Sequence, residues 1–126
     1  MFRSIQALSS FSVNNLEAAQ RFYEAVLGLE TVINEMGILE LMIAGGNKIL
    51  VYPKANHLPA TFTILNFPVD NVEGTVDELT AKGISFEQYS EPIQTDKKGI
   101  MRGPGTHQIA WFKDPAGNIL SVVSTI

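Results

Sequence analysis

Phe112-Lys113-Asp114-Pro115-Ala116-Gly117-Asn118-Ile119-Leu120-Ser121-Val122-Val123-Ser124 reads as the end of one strand, a tight turn and a full second strand. Pro115 pre-sets φ for the second position of a turn, and Gly117 takes the left-handed backbone that returns the chain as a hairpin. Beyond the turn, Ile119 to Val123 is β-branched and apolar except for Ser121. A lone hydroxyl in such a strand is either a vacancy or a working group.

Working outward, the chain contains the same plan twice. Phe11 and Val13 alternate with Ser10 and Ser12 as a strand does, and Asn14 with Glu17 has the spacing of a capping box. Leu16, Ala19, Phe22, Tyr23, Val26 and Leu27 then recur at helical spacing up to Gly28. Three strand-like segments follow, Glu30 to Asn34, Ile38 to Ala44 and Lys48 to Tyr52, before a polar connector from Pro53 to Pro59. The second pass opens with a strand, Thr61 to Val69, in which Thr63, Leu65, Phe67 and Val69 share one face and Phe62, Ile64 and Asn66 the other. Asp70 with Glu73 repeats the capping layout, and Val72, Val76 and Leu79 give a helix face ending at Gly83. Strands are expected over Ile84 to Tyr89, Thr106 to Lys113 and the closing segment, with Glu91 to Gly105 as a long loop. Val13 recurs as Val69, Glu17 as Glu73 and Gly28 as Gly83 at a near-constant offset, the mark of an internal duplication.

The expected fold is α+β: two βαβββ modules, 1–56 and 60–126, paired in one domain over 1–126 as a curved, cup-like mixed sheet. A length of 126 residues buries a real core, and 45% hydrophobic with 17% charged residues excludes a disordered chain. Net charge −4 offers no basic footprint for nucleic acid, and no apolar run approaches the ~20 residues that cross a bilayer. The N-terminus lacks signal-peptide features, and zero cysteines exclude disulfides and thiolate sites, so a cytoplasmic location is expected.

The duplicated module and the Phe112-Lys113-Asp114-Pro115-Ala116-Gly117-Asn118 turn resemble the vicinal oxygen chelate superfamily, as do Val13-Asn14-Asn15-Leu16-Glu17, Phe22-Tyr23 and Leu27-Gly28-Leu29. That family includes glyoxalase I, extradiol dioxygenases and the bleomycin-resistance proteins. The resemblance implies the glyoxalase/bleomycin resistance/dihydroxybiphenyl dioxygenase-like fold and a homodimer. It also implies, for the enzymes, a divalent metal held by His, Gln or Glu inside the cup. The matching positions here are Leu8, one of Leu50, Val51 and Tyr52, then Ile64 and Ser121. None supplies the imidazole or carboxylate that a divalent ion requires. No metal and no other cofactor is therefore expected.

Alternation from these positions gives the expected small-molecule lining: Leu8, Ser10, Tyr52, Phe62, Ile64, Ile109, Trp111, Ser121 and Val123, with Arg102 from the long loop meeting an anionic group. The indole of Trp111 suits stacking on a planar ligand. His107 and Tyr52 are the candidates for acid–base chemistry. His57 reads as a surface residue of the connector, and no His–carboxylate pairing marks Ser10, Ser12 or Ser121 as part of a triad. These features imply a glyoxalase/bleomycin-resistance-like protein that sequesters or carries a partly apolar small molecule without a metal. The alternatives are a metal-independent lyase or isomerase, or a divergent metalloenzyme using Gln6, Glu40 or His107.

Overall fold

The computed structural model describes residues 1–125. The chain divides into two compact units, Met1–Leu58 and Pro59–Ile126. Each contains a four-stranded mixed sheet and helical turns.

In the first unit, β1 (Ser9–Val13) leads into α1 (Leu16–Arg21), which continues as a π-helical turn over Phe22–Val26. β2 (Glu30–Ile33), β3 (Leu39–Met42) and β4 (Lys48–Pro53) follow. The sheet order is β1-β4-β3-β2, with β1 parallel to β4 and the other ladders antiparallel. Val13, Leu39, Leu41 and Val51 are fully buried together with Ala19 and Tyr23 of the helical segment. The Tyr23 ring lies 5.1 Å from Phe22 and 6.0 Å from Phe11. Alternation sends Ser10, Ser12, Leu50, Tyr52 and Glu40 to the opposite, open face.

The second unit repeats this with β5 (Thr63–Val69), α2 (Val72–Ala81), β6 (Ile100–Arg102), β7 (Gln108–Lys113) and β8 (Ile119–Ser124). The order is β5-β8-β7-β6, with β5 parallel to β8. Ala110, Phe112, Leu120 and Val122 are buried, as are Val72, Val76 and Leu79 of α2, so this side of the sheet is the core.

Three sequence expectations change. The helix caps sit one residue later: Asn15 and Asn71, not Asn14 and Asp70, accept the amides of Ala18 and Gly74 at 3.0 and 2.9 Å. In both places the Asn oxygen reaches the N3 amide from extended backbone, which the preceding residue is one position too early to do. Second, Ile84 to Tyr89 is not a strand; the edge of the sheet is β6, inside the segment expected to be loop. The 84–89 segment spends one ladder-like bond on β7, Glu87 N–H to the Trp111 carbonyl at 2.8 Å. It then closes on itself, with Tyr89 and Thr95 exchanging bonds, while Ile100 and Arg102 occupy the edge of β7 facing Ala110 and Gln108. Third, a register shift between Thr63 and Leu65 sets Ile64 in a bulge, so Thr63 pairs with Ile119 and leaves the helix face.

Candidate functional site

The defining turn is held by its own acid. Asp114 Oδ1 accepts the Ala116 and Asn118 amides, each at 2.9 Å, and Oδ2 accepts Asn118 Nδ2 at 3.0 Å. Asp114 and Asn118 are both buried. Gly117 stands at φ +86°, and a Cβ there would meet Pro59 Cγ at 3.3 Å. The turn thereby fixes the register in which β8 enters the sheet.

On the open face of the second unit, Asn66, Ser121 and Trp111 lie side by side on β5, β8 and β7. Ser121, fully buried, donates its hydroxyl to Asn66 Oδ1 at 2.5 Å. That bond orients the carboxamide so that Nδ2 is the group Asn66 has left for a visitor. Trp111 donates its indole N–H to Thr63 Oγ1 at 3.1 Å and meets the Tyr89 ring edge-on at 5.5 Å. Ile109 and Val123 pair on the same face. The bulge explains the Thr63 contact, and the aromatic pair comes from a segment expected to be a strand.

The remaining expected residues are more dispersed. Phe62 is exposed just ahead of β5, and Ile64 occupies the bulge. Leu8 is exposed just ahead of β1. Of the three uncertain positions in β4, Val51 faces the core and Leu50 and Tyr52 the open side. Ser10 lies opposite Leu50 and Ser12 opposite Tyr52. His107 stands in the β6–β7 turn with Nδ1 3.4 Å from Ser124 Oγ. Arg102 is engaged by carboxylates: Nε bonds Asp96 at 3.0 Å and an Nη bonds Glu73 at 2.8 Å. Lys98 joins the same cluster through Glu73 and Asp77. Glu40 pairs with Lys48 at 3.1 Å and accepts from Asn34 Nδ2. The Asn34 hydrogen bond, then Lys48, holds its carboxyl below the ordinary range.

His57 is the residue that sequence reasoning set aside. Its Nδ1 lies 2.6 Å from Ser12 Oγ. The connector turns back after β4, with Lys54 N–H on the Val13 carbonyl and His57 N–H on the Lys54 carbonyl. Nothing local in the sequence signals this return, because it depends on the end of β1 lying beside the end of β4.

The resident metal of the enzyme members finds no matching donors here. The neutral Ser121–Asn66 pair stands where a carboxylate would be needed, and Leu8 and Ile64 carry no donor atom in their side chains. Of the β4 candidates, Leu50 and Val51 carry none, while Tyr52 offers a phenol rather than an imidazole or carboxylate. Among the described residues, no group of three or more His, Asp or Glu gathers to hold an ion.

Two βαβββ units with these open sheet faces define a duplicated-module α+β protein of the vicinal oxygen chelate type. The chain belongs to the Glyoxalase/Bleomycin resistance protein/Dioxygenase superfamily, whose family model matches residues 6–122. A solved lactoylglutathione lyase from Agrobacterium tumefaciens is similar at 23% identity and TM-score 0.69, over 96% of this chain and 93% of that one. A superfamily member from Sphaerobacter thermophilus is similar at 20% identity and TM-score 0.70, over 96% and 98%. A virulence protein from Salmonella typhimurium is similar at 21% identity and TM-score 0.68, over the full length of both chains. At these identities the likeness concerns the fold. No curated protein matches. Among the described residues no helix is long and apolar enough to cross a membrane.

Proposed function

We propose that this protein binds a small, partly apolar molecule on the open sheet faces without a divalent metal, as a sequestering or carrier protein. The observation that carries the reading is the row Asn66–Ser121–Trp111, flanked by Ile109, Val123 and Thr63. Apolar surface supplies the affinity, and a few oriented neutral groups supply the selection. Such a face suits a planar ring against Trp111 with an acceptor oxygen toward Asn66 Nδ2. A homodimer in the cytoplasm belongs to the same proposal.

Trp111 is the only tryptophan and reports on the site directly. Saturable quenching of its fluorescence by a small planar aromatic such as 1-naphthol, unchanged by EDTA, supports the reading. Stoichiometric nickel, zinc, iron or manganese in protein purified without chelator refutes it. So does quenching that rises linearly without saturation across a panel of aromatic and aliphatic compounds.

A further inference from the structure

Ser12 and His57 form a contact that the binding reading does not use. Ser12 belongs to β1, and the alternation that buries Val13 on the core side turns Ser12 to the open face of the first unit. Its register partner on the adjacent parallel strand is Tyr52, so hydroxyl and phenol leave the same face from neighbouring strands about 4.8 Å apart. The 2.6 Å separation of Ser12 Oγ from His57 Nδ1 is within the reach required between a nucleophile and its base. With the ring protonated on Nε2, Nδ1 accepts the serine proton. Leu50 and Ser10 pair in the next row of this face, so the side chain nearest the Ser12–Tyr52 row on β4 is an aliphatic one.

We infer that Ser12, His57 and Tyr52 form an acyl-transfer site for short-chain carboxylic esters with good leaving groups. Ser12 Oγ attacks the ester carbonyl as its proton passes to His57 Nδ1, and the Tyr52 O–H donates to the developing oxyanion. Collapse expels the alcohol, which takes the proton from His57 and leaves an acyl ester on Ser12. Water, giving a proton to His57, then attacks that ester; Ser12 Oγ departs with the proton and the carboxylic acid is released. Ester and water are consumed, acid and alcohol are formed, and no metal or redox partner enters. The inference stands on contacts of the first unit, whereas the row that carries the ligand reading lies on the face of the second.

The test is p-nitrophenyl acetate turnover by the full chain, beside free imidazole at matched concentration. The expected result is release of p-nitrophenol faster than imidazole gives, with one acetyl group mapped to Ser12 by peptide mass spectrometry after rapid acid quench. Ser12→Ala and His57→Gln should each lower turnover about a hundredfold or more, with thermal unfolding showing both still folded. Turnover no faster than imidazole, acetyl groups only on lysine or histidine, or a folded Ser12→Ala that keeps the wild-type rate would each overturn the inference. Acetyl mapping on the wild-type chain decides the matter even where a variant fails to fold.

Discussion

Replacing Asp114 by Ala should be among the most destabilising single changes in the second unit. The substitution removes acceptors from the Ala116 and Asn118 amides and from Asn118 Nδ2. Asn118 is only 2% exposed, so water does not replace its lost partners, whereas the Ala116 amide is better hydrated. Leaving a buried donor unsatisfied costs roughly 1–3 kcal/mol. Two such donors at about 1.5 kcal/mol each give a loss of about 3 kcal/mol, a large share of the roughly 5–15 kcal/mol available to a domain. Asp114→Asn keeps one oxygen for the backbone amides but sets an NH2 against Asn118 Nδ2, and should cost about 1–2 kcal/mol. Equilibrium urea unfolding measures both, read as a lower midpoint at unchanged slope. A double-mutant cycle with Asn118→Ala isolates the side-chain bond, with an expected coupling of about 1 kcal/mol or more. A loss under about 1 kcal/mol for Asp114→Ala, or strict additivity in the cycle, would show that Pro115 and Gly117 hold the turn without the acid.

The two helix caps should behave as a matched pair: Asn15→Ala and Asn71→Ala should each cost about 1 kcal/mol by thermal or urea unfolding. Asn14→Ala and Asp70→Ala should be near neutral, and the reverse order would move the caps back one residue. The Glu73–Asp96–Lys98–Arg102 cluster should give a pH-dependent stability. Arg102, then Lys98, lowers the Glu73 pKa below its ordinary 4.5. Burial of Asp96 raises its pKa, but the Ile100 amide and Arg102 outweigh it and bring the carboxyl below 3.8. Depressed carboxylates stabilise fully above their unfolded pKa values and lose that contribution as pH falls through the folded ones. Asp77, then Glu73, raises Lys98 above 10.5, so its contribution holds below that pH and is lost as pH rises through the folded value. The thermal midpoint should lose this contribution on acidification below pH 4.5, and Glu73→Gln with Asp96→Asn should flatten that limb. An unchanged acid limb in the double variant would remove the cluster from the account.

How much was legible depended on how local each determinant is. The turn at Asp114 to Asn118 and both helix faces are written in spacings of three to five residues, so they could be read directly. The core side of the sheet could be read as well, because Ala110, Phe112, Leu120 and Val122 follow simple alternation. Errors arose where two segments compete for one edge. Ile84 to Tyr89 has the composition of a strand, yet Ile100 to Arg102 takes the place beside β7, and only the folded sheet shows which segment wins. The bulge at Ile64 is equally silent in sequence, and by shifting the register it brings Thr63 to the Trp111 indole. The ion pairs of Arg102 were not legible either: Asp96 lies in the same long stretch, but Glu73 comes from α2, and only the fold brings that helix to the arginine.

The two modules keep a common frame and differ on their open faces, and packing explains why. The frame rests on Asn15 and Asn71 as caps and on parallel β1–β4 and β5–β8 pairs; its core side chains are close-packed, so a change of one methylene is felt. The opposite face of each sheet carries different chemistry in the two units. In the first unit this face carries the Glu40–Lys48 pair and the Ser12–His57 contact. In the second it carries an indole, aliphatic groups and the neutral Ser121–Asn66 bond. That bond satisfies a fully buried hydroxyl without introducing a charge, whereas a carboxylate at the same place would need a cation to offset its desolvation. The chain has therefore kept the family's turn, which sets the strand register, while the side chain three residues beyond Asn118 has become part of a neutral, hydrogen-bonded sheet.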